Sequence, residues 1–101
     1  MKRKPKIFIS GRITGDPNYV EKFHQAEKRL KVSHEVVNPC YLQFMGLPLV
    51  CYSWRTCMLV CFWNLVRCST VYMLKDWKES RGAKKEHRLA KFLHKRILYQ
   101  Q

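Results

Sequence analysis

One hundred and one residues suffice for one domain with one modest core, and 47% hydrophobic residues exclude a disordered chain. Twenty Lys and Arg against seven Asp and Glu give a formal charge of +13, which favours phosphate-bearing partners (nucleotides, nucleic acid, anionic surfaces) without choosing among them. Five cysteines lack a C-x-x-C pair and four histidines lack ligand spacing, so neither a disulfide framework nor a metal site is expected; reduced thiols in a cytoplasmic chain fit better.

A basic lead-in, Met1 to Lys6, precedes Ile7-Phe8-Ile9, which predicts a first strand closed by Ser10-Gly11. No longer apolar region or small-residue cleavage site follows, so no secretory signal is expected. Gly11 and Gly15 read as turn formers. They are not part of G-x-G-x-x-G, so a dinucleotide fingerprint is absent and no cofactor is expected. Asn18 is placed to cap a helix over Tyr19 to Lys31, where Tyr19 or Val20, Phe23, Ala26 and Leu30 repeat at helical spacing. His34 to Val37 predicts a second strand, ended by Asn38-Pro39.

Cys40 to Tyr52 predicts no single element. Gly46 and Pro48 oppose a continuous helix, while Leu42, Phe44, Met45, Leu47, Leu49 and Val50 predict packing over the sheet or against another subunit. Trp54 to Arg67, capped by Ser53, predicts a helix that is apolar nearly all round. One small sheet covers one side of it, so the expectation is a homo-oligomer, a dimer or higher, formed through helix 54–67. Pro48 and Arg55 interrupt the apolar segment Leu42 to Val66, and no run is long enough to span a membrane.

Val71 to Leu74 reads as a third strand and Lys75 to Glu79 as a polar loop carrying Trp77. Ser80 is a good N-cap, with Gly82 in the first turn that follows. Free backbone N–H groups at such a helix start suit a phosphate or other anion. Gly82, Glu86, Leu89, Ala90 and Leu93 share one face, with Lys84, Lys85, Arg88 and Lys91 largely outside it. Glu86 is therefore a carboxylate on an otherwise apolar face, and is either paired or chemically active. Arg96 to Tyr99 predicts a last strand.

This order predicts one α/β domain over 1–101: a Rossmann-like, flavodoxin-like three-layer sandwich with a small parallel sheet of about four strands. Ligands of such sheets bind at the carboxyl ends of the strands. Those ends are Ser10-Gly11, Asn38-Pro39 and Lys75-Asp76, with the Ser80 helix start beside them.

Three blocks carry a resemblance: Lys6-Ile7-Phe8-Ile9-Ser10-Gly11-Arg12-Ile13-Thr14-Gly15, His34-Glu35-Val36-Val37-Asn38-Pro39, and Trp77-Lys78-Glu79-Ser80-Arg81-Gly82-Ala83-Lys84-Lys85-Glu86-His87. In order and spacing they resemble the nucleoside 2-deoxyribosyltransferase superfamily, in particular its small phage and bacterial branch of unassigned function. The signature is a small residue, a glycine two positions on and a glutamate four beyond, which Ser80, Gly82 and Glu86 fit.

The resemblance implies a retaining N-glycosidase or 2-deoxyribosyltransferase in which Glu86 attacks C1′ of a deoxyribose. It also implies that Ser80 and the helix N-terminus hold a 5′-phosphate, aided by Arg81 or Arg12. Gly11 and Ile13 would frame the base and sugar, and Trp77 would stack on the base or pack in the core. The chain departs from its relatives at Phe8, where they commonly have Tyr, at Cys61, where they commonly have Asp, and at Ser69, where many have Asp. Asp16 and Asp76 are the other acids expected near the site. The alternative reading is a nucleotide-binding or nucleotide-signal sequestering protein, with Glu86 accepting a bond from a ribose hydroxyl. Nucleic-acid binding rests on the charge alone, with no readable module.

Overall fold

The structure is a computed structural model describing residues 4–13, 16–39, 43–44, 47–48 and 53–100. In chain order the elements are β1 (Lys6–Ser10), α1 (Tyr19–Leu30), β2 (Glu35–Val37), β3 (Gln43–Phe44), β4 (Leu47–Pro48), α2 (Trp54–Arg67), β5 (Thr70–Met73), α3 (Arg81–Phe92) and β6 (Arg96–Tyr99). The four longer-range strands form one all-parallel sheet in the order β2-β1-β5-β6.

β1 is the middle of the molecule because it is apolar on both faces, as a parallel strand covered twice must be. Its side chains alternate between two cores. Ile7 and Ile9 face Phe23, Ala26 and Leu30 of α1, together with Leu74. Phe8 faces the other way, into a core with Cys61 and Leu65 of α2, Val71 and Met73 of β5, and Ala83 and Ala90 of α3. The result is the expected three-layer, Rossmann-like arrangement, with α1 on one face and α2 and α3 on the other. Ser10 follows Phe8 by two and shares its face, so the hydroxyl points towards α3.

The β1-α1-β2 connection runs to one side of the sheet and β5-α3-β6 to the other. The strand order therefore reverses between β1 and β5, the switch point at which open α/β sheets leave a crevice. Ile7 pairs with Thr70 and Ser10 with Met73, so both strands end at the same level. The Leu74 N–H donates to the Ser10 carbonyl at 2.8 Å, holding the two strand ends together.

Several local expectations are corrected. Asn18 stands at the N-cap position of α1 but makes no side-chain cap bond; instead, its own N–H donates to Asp16 Oδ1 at 2.9 Å. The inward stripe of α3 keeps Glu86 and Ala90, with Leu89 partly buried beside them, but begins at Ala83 rather than Gly82, and Leu93 is exposed because it lies past the last helical turn. β3 and β4 pair antiparallel within the stretch that sequence left without an element. The packing expected of Leu42, Phe44, Met45, Leu47, Leu49 and Val50, and the readings of Gly15, Gly46, Cys40 and Cys51, fall outside what the structure describes.

Ser53 caps α2 as expected, its Oγ accepting from the Thr56 N–H at 3.4 Å. Only Cys61 and Leu65 of α2 are buried, whereas Leu59, Trp63 and Val66 are exposed. Among the described residues no helix is long and apolar enough to cross a membrane.

α3 ends in a left-handed turn. The Lys95 N–H donates to the Ala90 carbonyl at 2.9 Å and the His94 N–H to that of Lys91 at 3.1 Å, with His94 at φ 58°. These are the paired bonds of a Schellman cap, a position that glycine occupies without steric cost. His94→Gly is expected to stabilise the fold by about 1 kcal/mol, read as a rise in the urea midpoint with an unchanged slope.

Candidate active site

The site is built from the carboxyl ends of β1 and β5 and the first turns of α3. Ser80, itself extended, follows a 3₁₀ turn over Trp77–Glu79, and its Oγ accepts from the Ala83 N–H at 3.1 Å, starting α3. One turn on, Glu86 reaches the inner face of the helix, where Ser10 meets it. Ser10 Oγ donates to Glu86 Oε1 at 2.7 Å, and the two residues are 1% and 6% exposed. Glu86 is the one buried carboxylate among the described residues. Burial pushes its pKa up to about 7, against the opposing pull of the Ser10 hydroxyl.

Two glycines expected to frame a ligand are explained by packing. A Cβ on Gly11 would lie 2.6 Å from Leu74 Cδ1 and 2.9 Å from Leu74 Cβ, so glycine is what lets the two strand-end loops touch. A Cβ on Gly82 would lie 3.0 Å from Met58 Sδ, so Gly82 lets α3 approach α2 closely.

The rim opposite Glu86 is held by a lysine that sequence reasoning missed. Lys22 Nζ donates to Asp16 Oδ2 at 2.6 Å, to Asp76 Oδ2, and to the Arg12 carbonyl at 2.9 Å. Asp76 Oδ1 in turn accepts from the Arg12 N–H at 3.2 Å, and the Arg12 guanidinium lies 3.6 Å from Glu79. Desolvation works against the charge on Lys22, but the bonds to Asp16 and Asp76 outweigh it and raise the ammonium pKa. The bond from Lys22 and that from the Asn18 N–H hold Asp16 below the usual carboxylate range. Periodicity gives Lys22 no signal, because its partners are brought to it by the sheet rather than by sequence.

The remaining sequence-predicted residues divide. Ile13 is exposed beside this rim, and Arg81 lies with its guanidinium carbon 4.9 Å from the centre of the Trp54 ring. Trp77, half-buried, stacks on His87 with ring centres 4.2 Å apart, and His87 Nε2 is 2.8 Å from Tyr99 Oη. Asn38 is buried just past the end of β2, the outer strand across β1 from Glu86, with its Nδ2 donating to Glu27 Oε1 at 3.1 Å. Phe8 and Cys61 are core residues. Ser69 is at the opposite, amino edge of the sheet, its hydroxyl donating to the Lys6 carbonyl at 3.3 Å, so a change there does not touch Glu86. Among the described residues no three His, Cys, Asp or Glu side chains converge to hold a metal.

Residues 5–99 match the family model described as Domain of unknown function (DUF4406), nearly the whole chain. No curated protein matches the chain at a significant level.

Because the folded protein binds the Glu86 proton more tightly than the unfolded chain, its contribution to stability is complete below about pH 4.5 and is lost as pH rises through about 7. The loss amounts to about 3 kcal/mol. Glu86→Gln keeps the shape without the charge. Urea unfolding of the variant minus wild type is expected to show it relatively more stable at about pH 8, the advantage fading towards about pH 4.5. A pH-independent difference would show that Glu86 is not ionised in a buried setting.

Proposed function

The chain belongs to the DUF4406 family, and within that family we propose that it is a nucleoside or nucleotide N-glycosidase or 2-deoxyribosyltransferase, with Glu86 as a retaining nucleophile. The observation that carries this reading is the Ser10–Glu86 pair: a buried carboxylate, held by one hydroxyl, at the sheet's switch point and one turn inside a helix start. The Ser80, Gly82 and Glu86 spacing supports it independently.

In this mechanism a Glu86 oxygen attacks C1′ as the C1′–N bond breaks, and the base leaves with that electron pair and takes up a proton. Water or a second base then opens the glycosyl ester at C1′ and returns the carboxylate, so two inversions retain configuration. Ser10 holds one carboxylate oxygen and leaves the other to react, a restraint that lowers the cost of reaching the reactive geometry. It supplies from β1 the hydroxyl that Phe8, two residues earlier on the same strand face, lacks. A 5′-phosphate would lie at the α3 amino terminus, with Ser80 and Arg81.

Free-base release from deoxynucleosides and their 5′-monophosphates, followed by chromatography, tests this. Wild type is expected to release base and Glu86→Gln to be slower by about a thousand-fold or more. Adding a second base separates transfer from hydrolysis. The rate is expected to rise with pH up to about 7, where Glu86 ionises, and then to level. Ser10→Ala, losing the bond that favours the ionised form, should move that limb to higher pH. A second reading, nucleotide sequestration, draws on the 6% exposure of Glu86, which leaves little of the carboxylate open; tight retention of a nucleotide with no base released would favour it.

The same reading includes a cytoplasmic location, which suits the buried thiol of Cys68, and self-association through α2. Leu59, Trp63 and Val66 recur at i, i+4 and i+7 and are 69%, 67% and 45% exposed, a stripe a second copy would cover. Sedimentation is expected to give a dimer or larger, and Trp63→Glu to give a monomer.

A further inference from the structure

From Arg81 to Lys91 every exposed residue of α3 is a cation: Arg81, Lys84, Lys85, Arg88 and Lys91. The helix has one acid, Glu86, and it is turned into the core. The row therefore faces solvent with no carboxylate of its own helix to neutralise it. It runs for about 15 Å, the length of ten helical steps, which matches about four nucleotides of a stacked strand. Beside it, burial lowers the pKa of His87, and the charges of Lys91 in the row and of Lys78 outside it act in the same direction.

At the amino end of the row stands Trp54, 40% exposed on the first turn of α2. The Arg81 guanidinium carbon is 4.9 Å and the Lys85 ammonium 5.2 Å from its ring centre. An accessible indole among cations offers a nucleobase a flat surface and the adjoining phosphates their counter-charges, the combination by which single strands are bound without a sequence code. Against its five cations the same face exposes one apolar side chain, Phe92 at the carboxyl end of α3 (78% exposed), less apolar area than a membrane-surface helix inserts.

We propose that the exposed face of α3, with Trp54 at its amino end, is a docking surface for single-stranded nucleic acid. Glu86 lies on the opposite side of the helix, so this surface, which shares only Arg81 with the proposed phosphate site, stands whether or not Glu86 is catalytic.

Fluorescence anisotropy of a labelled oligothymidylate, titrated with the full chain over a series of NaCl concentrations, tests it. Five contacting cations predict a slope of log affinity against log salt of about −3.5. Replacing Lys84, Arg88 and Lys91 together with Gln should weaken binding ten-fold or more at low salt and make the slope shallower by about 2. Trp54→Leu should weaken binding about ten-fold with the slope nearly unchanged, because it removes stacking and no charge. Lys28→Gln, on the exposed side of α1, should leave affinity unchanged. Far-UV circular dichroism of each variant confirms its fold, and the wild-type slope stands without any variant. The proposal is overturned by absence of saturable binding at low salt, by unchanged affinity in the triple variant, or by phosphatidylserine vesicles binding as tightly as the oligonucleotide.

Discussion

The bond from Ser10 to Glu86 is the one on which the rest of the arrangement depends. A carboxylate buried in a core this small is costly unless it is held, and Ser10 offers it one short hydroxyl contact at 2.7 Å. That contact fixes the rotation of α3 about its axis. With Glu86 turned inward, Ala83 and Ala90 must lie on the sheet and the lysines and arginines must face water. It also couples the helix to the central strand, since Ser10 is the last residue of β1 and its carbonyl receives the Leu74 N–H. A strand end, a loop and a helix are thus brought to one point, and both the buried carboxylate and the basic outer face follow from the same helical phase.

Much of this was legible in the sequence because it is periodic. Short apolar runs located the four strands of the main sheet to within a residue, helical spacing located α1, α2 and α3, and Ser53 and Ser80 marked the starts of α2 and α3, whereas β3 and β4 were not foreseen. Glu86 stood out because a charge on an apolar stripe breaks the period. What could not be read depends on pairing across the sheet. Nothing near Lys22 in the chain announces Asp76, and Ser10 read as a loop-edge ligand until the pleat turned its side chain towards α3. Asn18 misled because its position is that of a cap, whereas Asp16 offers the oxygen. Ser69 misled for the reverse reason: adjacency to a strand says nothing about which end of the sheet is meant.

Gly11 and Gly82 carry a related lesson. Glycine after a first strand, and glycine in a first helical turn, both invite a ligand-based explanation. Here Leu74 crowds the space that a side chain on Gly11 would need, and Met58 does the same at Gly82. The glycines serve the site indirectly, by letting the strand-end loops and the two helices come close enough for Ser10 and Glu86 to meet. Trp77 is similar, since its ring is occupied by His87 and it reaches Tyr99 at the end of β6. Gly11, Gly82 and Trp77, which resembled ligand contacts, are thus engaged in packing.

The lysine clasp on the α1 side has an electrical consequence for the crevice. Asp16, Lys22 and Asp76 together carry one negative charge, in a chain whose formal charge is +13. Across the sheet from them lies the positive end of the α3 dipole, with Arg81 beside it. The carboxyl edge of the sheet therefore has a direction, with one wall repelling anions and the other attracting them. A molecule with a phosphate at one end and a neutral ring at the other would be turned before it touched either wall, and would arrive with only one of its two possible orientations favoured.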